Sequence, residues 1–518
     1  MAAFGAAVLG TAAFVAGVAL FTGAIDLGGS HPSGDLSVTE ETPVTAMDQG
    51  VGWANNSPSL AADPADDRFV VIANRLDAPD FSCALQVSGE GGRSWLTAYP
   101  VPKRPEGVEK CYAPEVAFDA DGALQYLFVG LAGPGNEPVG AYLTSSTDRG
   151  RTWSEPRQVL PQYSFGVRMA IDRSTGDKGR MHLVWIRASD PPSGGFAPPP
   201  NPIMTAYSDD GGATFSPPVQ ISGDIQRAAG PALVLGPDSA VHVAYYDLQD
   251  DVIDYQGLEG NVWEDTWSLV VASSTDGGRR FGPGVVVDDQ IRPHERVMLI
   301  FTMAPPALVA GGDGRVCAAW TDARHGDADA VLRCSTDGGA RWGELHRLND
   351  DPVGNGRTQY LPRLSVAPDG RLDAVFYDRR DDEDDILNNV SYTFSTDGGE
   401  SFTANRRLTR DPSTSLIGQE YLVASAKDMV EFGSRIGVLS KGDEVVAAWT
   451  DTRNSNPLST GQDIFATVVE LETSGQPLWA RVAGGLLAVA GLAALAFAVV
   501  RGRRSGAPKA GDAPVSPG

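Results

Sequence analysis

Basic residues are scarce in this chain: 41 Lys and Arg stand against 66 Asp and Glu among 518 residues, a formal net charge of −25. Phosphate backbones are bound by clustered Lys and Arg, so nucleic acid is excluded as a partner, and the negative surplus reads as a solubilising surface. Histidine is scarcer still: six copies lie scattered without a paired ligand spacing, which removes a zinc site and leaves no metal assigned to them. There is no P-loop, dinucleotide fingerprint or Gly-x-Ser-x-Gly elbow, so a phosphotransferase, a dehydrogenase and a nucleophile-elbow hydrolase all fall away. Nor does any long stretch within residues 51–472 show helical periodicity. With 60 Gly and 36 Pro, that stretch reads as short strands and many turns.

What is present is a repeat. Five segments match Ser-x-Asp-x-Gly-x-x-Trp/Phe, namely Ser146 to Trp153, Ser208 to Phe215, Ser274 to Phe281, Ser335 to Trp342 and Ser395 to Phe402. A sixth, Ser88 to Trp95, carries Glu90 in the Asp position, and successive serines stand 58, 62, 66, 61 and 60 residues apart. Such a period marks stacked, similar units. The short polar side chains hydrogen-bond nearby backbone, Gly supplies a positive φ and the aromatic buries itself, so each copy is expected to be a rigid hairpin corner. Five equivalent acids on five units cannot share one pocket, which argues against catalysis by the signature aspartates.

Ahead of each signature lies an alternating apolar run, and seven such runs occur: Phe69 to Asn74, Leu124 to Gly130, Met181 to Arg187, Val241 to Asp247, Val316 to Asp322, Leu372 to Asp378 and Val445 to Asp451. Each is preceded by a shorter segment, usually introduced by Pro. The pattern predicts an all-β fold, a β-propeller of four-stranded blades over 51–472. Seven blades are expected, the competing count being six with one irregular unit. The seventh lacks a turn signature, and its outer strand is expected from Leu36 to Ala46, closing the ring.

The two ends of the chain speak to location. Residues 1–24 are apolar and direct export, either as a cleaved signal peptide or as an N-terminal membrane anchor, and 25–50 form a linker with the ring-closing strand. Val482 to Val500 is an uncharged run followed by Arg501, Arg503 and Arg504. It is expected to be a transmembrane helix, with the propeller extracellular and 501–518 a cytoplasmic tail. An exported protein permits disulfides. If Cys317 faces Cys334 on consecutive strands then Asp322 faces Asp329 across a compact loop, and Cys83 and Cys111 form the remaining pair.

The signature resembles the Asp-box, or bacterial neuraminidase repeat, of the sialidase superfamily, over about residues 51–472. Asp-box propellers include sialidases, other glycosidases and non-catalytic binding proteins, so function is to be sought in the site. The resemblance implies three arginines converging on a carboxylate, a Tyr nucleophile primed by Glu, and an Asp acid/base. On the seven inner strands the residue before the aliphatic is Ser59, Glu115, Arg168, Ala232, Ala307, Arg363 and Arg435. Equivalent positions form a ring, so Arg168, Arg363 and Arg435 are expected to face Glu115 at one central mouth. Separate ion pairs with acidic loops are the alternative. Candidate chemistry is Tyr421 with Glu115, because Glu420 points away from Tyr421 on an extended segment, and Asp77 or Asp80 in the first blade's loop. Two departures stand out: Ser59 occupies the place of the family's Arg-Ile-Pro arginine, and sialidases have six blades.

A second pattern shares that rim. Loops after the second strand repeat an acid and a base: Asp322, Arg324 and Asp329; Asp378, Arg380 and Asp385; Asp451, Arg453 and Asp463. Each Arg is expected to bridge its two loop aspartates, with ligand contact by Arg324, Arg380 and Arg453 as an alternative. No cofactor is implied, except that Asp381 to Asp385 is a candidate calcium site or, equally, a solvated loop. Two function classes remain: a cell-surface propeller binding carboxylated glycans or a protein partner, and an exo-acting glycosidase of sialidase type.

Overall fold

The computed structural model describes residues 36–45, 54–77, 80–96, 99–134, 136–188, 199–249, 266–293, 304–416, 419–420, 430–431, 433–454 and 461–471. Both terminal apolar segments, Tyr421 and the 481–504 region lie outside the described residues. Among the described residues no helix is long and apolar enough to cross a membrane.

The chain folds as a seven-bladed β-propeller. Seven antiparallel sheets succeed one another, and the inner strand of each contacts that of the next: Asn55–Asp63, Lys110–Phe118, Ser164–Asp172, Ala228–Leu235, Ala307–Ala310, Gln359–Val366 and Gly437–Lys441, the last returning to the first. The ring closes as expected. Leu36–Val38 pairs with Asp463–Leu471 as the outer strand of blade seven, and Thr42–Pro43 pairs with the same strand. The first blade departs from the four-strand plan: it has three strands, and a single bridge between Val87 and Leu96 stands in for the fourth.

The apolar core is layered between blades. One cluster joins Val71 and Phe69 of blade one to Phe118 and Tyr126 of blade two, and comparable clusters follow around the ring. Trp185, Trp320 and Trp449, at equivalent second-strand positions, are all within 1 % of full burial. Side chains alternate across each strand, so both faces of a blade are apolar and each is covered by a neighbour.

The signature turns are built as the residues predict. In each of the five close matches Ser Oγ donates to the Asp carboxylate at 2.7–2.9 Å and accepts the second Gly N–H at 2.7–3.0 Å. They are also docking devices, which the sequence does not announce. A Cβ on Gly212 would lie 2.3 Å from Leu143 of the preceding blade, one on Gly278 2.9 Å from His182, and one on Gly399 2.6 Å from Cys334. The second glycine therefore sets how closely blades approach.

Both disulfides form. Cys317 is paired with Cys334, and in the same register Asp322 faces Asp329. Cys83 on the third strand of blade one joins Cys111 on the inner strand of blade two, tying neighbouring blades.

Candidate functional site

An irregularity repeated on the inner strands positions the site. In blades one, two, three, four and six, two consecutive residues oppose one on the second strand, immediately before the ring position. The first of the two has a positive φ in every case: Ser57 at 56°, Ala113 at 47°, Gly166 at 55°, Gly230 at 56° and Leu361 at 53°. Such a bulge bends the strand and releases backbone groups from the ladder. Here the released carbonyls turn toward the axis and accept from the ring arginines. Arg435 Nε donates to Ser57 O at 3.1 Å and its Nη2 to Pro114 O at 2.7 Å, while Arg168 Nε donates to Pro231 O at 3.4 Å.

Two of the three expected arginines meet Glu115, Arg168 from the ring position of its strand and Arg435 from two residues ahead of Gly437, which holds that position in blade seven. Arg168 Nη1 donates to Glu115 Oε1 at 2.8 Å, and Arg435 Nη1 donates to the same oxygen. Blades two, three and seven are thereby joined across the small Ser59 of blade one. Burial would push the Glu115 carboxyl up, but the charges and hydrogen bonds of Arg435 and Arg168 outweigh it and hold it below the ordinary glutamate value. Arg363 differs. Among the described residues it makes no hydrogen bond or ion pair, and burial, together with the like charges of Arg168 and Arg435, pulls its guanidinium down to about 9. Two guanidinium groups share one carboxylate, and a third stands near them without an acidic partner among the described residues.

A narrow cleft opens beside them, lined by the bulge residues Ser57, Ala113, Gly166 and Gly230 and by Arg75, Tyr112, Arg168 and Arg435. Two of these were not candidates from the sequence. Arg75 Nη1 donates to the Tyr112 hydroxyl at 2.6 Å, and its guanidinium also lies over the Tyr112 ring. The pair belongs to adjacent blades, so no local pattern links them; the inner-strand phase that gave Glu115 would have given Tyr112 as well, three places earlier and across the bulge.

Asp77 and Asp80 do not reach this cluster as free acids. Asp77 is 5 % exposed, accepts from Arg75 Nη2 at 2.7 Å and from Asn56 Nδ2 at 2.8 Å, and is a structural counter-ion. Asp80 is exposed and pairs with Lys110 at 2.9 Å. Tyr421 lies outside the described residues, so its pairing with Glu115 is not part of this geometry.

The loop arginines bridge two acids each, but the second acid is not the one expected. Arg324 holds its own Asp322 at 2.6 Å and Asp288 of blade four at 2.7 Å. Arg380 holds Asp378 at 2.7 Å and also pairs with Asp350, which follows the outer strand of blade five. Arg453 holds Asp451 at 2.7 Å and pairs with Glu41 of the ring-closing segment. Asp329 and Asp385 are taken by others: Arg347 sits 2.7 Å from Asp329, and Thr358 donates to Asp385 through its hydroxyl at 2.6 Å. Each of these second acids is already held within its own blade, Asp329 by Arg347 of the outer strand and Asp385 by Thr358 just ahead of the inner strand, while Arg324 and Arg380 reach back to acids of the preceding blade. With both faces of the fork occupied, these arginines are bolts between elements.

Within the acidic run, one carboxylate caps the backbone that follows it. Asp382 accepts the N–H groups of Ile386 and Leu387 at 2.6 and 2.8 Å, and among the described residues no three His, Cys, Asp or Glu side chains are grouped to hold a metal ion.

No family model and no curated protein matches the chain. Solved structures do. A protein of unknown function from Dyadobacter fermentans is 13 % identical, with 85 % of this chain and 100 % of that one aligned at a TM-score of 0.45. A Hadza microbial sialidase is 14 % identical over 78 % of this chain and 74 % of its own, TM-score 0.43. The phage phi92 endosialidase is 11 % identical over 85 % and 70 %, TM-score 0.45. The resemblance to sialidases is one of fold. The propeller itself rests on the strand pairing above.

Proposed function

We propose that the chain is a membrane-anchored extracellular propeller whose central mouth binds a carboxylated ligand, a glycan acid or an acidic group of a protein partner. One observation carries this: Arg168 and Arg435 share the single carboxylate of Glu115, while Arg363, within reach of their like charge, has no acidic partner among the described residues. A guanidinium does not shed its proton at neutral pH, so the repulsion around Arg363 is relieved by an anion brought from outside. Arg168 retains an uncommitted Nη2 beside the cleft, and Arg363, near enough to feel the Arg168 charge, retains its whole fork, so both keep donors for a carboxylate.

The test uses the full chain in detergent, titrated with N-acetylneuraminate and with an uncharged sugar of similar size. Binding of the acid alone is expected, weakened at least tenfold by Arg363→Ala and by raised salt. Equal affinity of wild type and Arg363→Ala would sink the proposal.

One observation favours turnover as a second function: Tyr112, a phenol beside the cleft, accepts a hydrogen bond from a cation, Arg75. Hydrolysis of a fluorogenic sialoside that disappears in Tyr112→Phe would support it, and no release of fluorophore by wild type would end it.

A further inference from the structure

Glu115 stands where a ligand would. A carboxylate gripped by guanidinium groups from two separate blades, with backbone carbonyls holding those groups in place, is the geometry of a bound anion, yet this anion belongs to the chain. Arg168 and Arg435 come from blades three and seven, and neither has another acidic partner among the described residues. The Glu115, Arg168 and Arg435 side chains are 12 %, 14 % and 9 % exposed, so the trio is shielded without being sealed from the cleft. On the opposite side of the ring the equivalent positions are Ala232 and Ala307, which leave Arg363 no such occupant.

We infer that Glu115 is a built-in occupant of a carboxylate seat and the specificity-determining residue of the mouth: it fills the place between Arg168 and Arg435, so an external carboxylate is directed to Arg363 and the free side of Arg168. This rests on the mouth being a carboxylate site. It has a consequence for selectivity. A ligand with one carboxylate suits the native mouth, whereas one with two closely spaced carboxylates meets Glu115 and is repelled. Removing Glu115 vacates a second seat with two guanidinium groups already oriented.

The experiment is refilling of that seat. Glu115→Ala in the full chain is expected to unfold at a lower temperature than wild type in chloride, because two arginines are left without their counter-ion. Acetate at matched ionic strength then restores part of the loss saturably; at about ten times its Kd the expected rise is ~1–2 °C. Wild type, whose seat is full, and the double variant Glu115→Ala/Arg168→Ala, whose seat is broken, show no such rise. Indifference of Glu115→Ala to acetate against chloride overturns the inference. Should Glu115→Ala fail to fold in chloride, the yield on refolding in acetate replaces the melting temperature, and equal failure in both salts overturns it likewise. The outcome separates from that of the proposed function, which is decided by Arg363→Ala and N-acetylneuraminate and not by acetate.

Discussion

The arginines of the loops and the arginines of the inner ring come in matching threes, yet their surroundings are opposite. Arg324, Arg380 and Arg453 each meet two carboxylates, and every first partner, Asp322, Asp378 or Asp451, is at most 1 % exposed. Arg168, Arg363 and Arg435 meet one carboxylate between them. The first set is committed to those acids and ties blades to one another or to the ring-closing segment. The second carries a charge surplus that the fold retains although replacing a poorly paired ion by an apolar side chain often stabilises a protein. Both sets look alike in sequence, an Arg on or beside an apolar strand, and the difference lies in where acids arrive from. This comparison can be broken at several points.

The largest effect is expected at the bolts. Arg324→Ala leaves Asp322 and Asp288 buried at 0 % and 2 % side-chain exposure with less cation between them. Loss of one partner of a buried pair costs roughly 3–5 kcal/mol. Asp288 keeps Arg333 at 3.0 Å, which places the outcome toward the lower end. Chemical denaturation of the full chain measures it, and a loss under about 1 kcal/mol would show the bolts to be ornamental.

At the ring the sign reverses. Arg363→Met keeps the apolar stem, removes the unpaired charge, and is expected to stabilise by ~1 kcal/mol while abolishing carboxylate binding. A destabilised Arg363→Met would mean that this arginine, too, is tied, and the contrast between the two sets would collapse.

Much of this was legible before any coordinates. The repeat phase placed Glu115, Arg168 and Arg363 at one level of the ring, each opposite the fourth residue of the apolar run that follows it, because equivalent positions of a closed array must meet. It assigned Arg435 there too, but the register gives that place to Gly437, and Arg435 reaches Glu115 from two residues earlier. The pairing of Cys317 with Cys334 followed from their place on consecutive strands, and the closing strand at Leu36 from the missing outer strand of the seventh unit. Contacts that cross blades with no fixed offset were not legible. Asp288 reaches Arg324 from 36 positions earlier in the chain and Glu41 reaches Arg453 from 412 earlier, with nothing in either local segment to announce it. The bulge was hidden for a different reason: Ser57, Ala113 and Leu361 adopt a positive φ that glycine would have signalled. The recurrent proline after it, at Pro58, Pro114, Pro231 and Pro362, was the one trace of it in the sequence.

A third effect, set by pH, sharpens the comparison by inverting it. At the closing seam acids outnumber the base: Arg453 is shared by Asp451 and Glu41, and Asp463 stands directly across from Asp451 in the strand register. Thr45 Oγ donates to Asp463 at 3.1 Å, but burial first, and the Asp451 charge second, raise its carboxyl to about 6. A folded-state value above that of the unfolded chain means the native form binds the proton more tightly. Stability from this residue is therefore full below about pH 4 and falls as pH rises through about 6. Asp463→Asn keeps an oxygen for Thr45 and removes the charge. It should raise the melting temperature by a few degrees at pH 7 and by nothing at pH 4, since wild type is already neutral there. A gain of equal size at both pH values would show that the surplus carboxylate at the seam is as well tolerated as the bolts, and the contrast would then rest on the mouth alone.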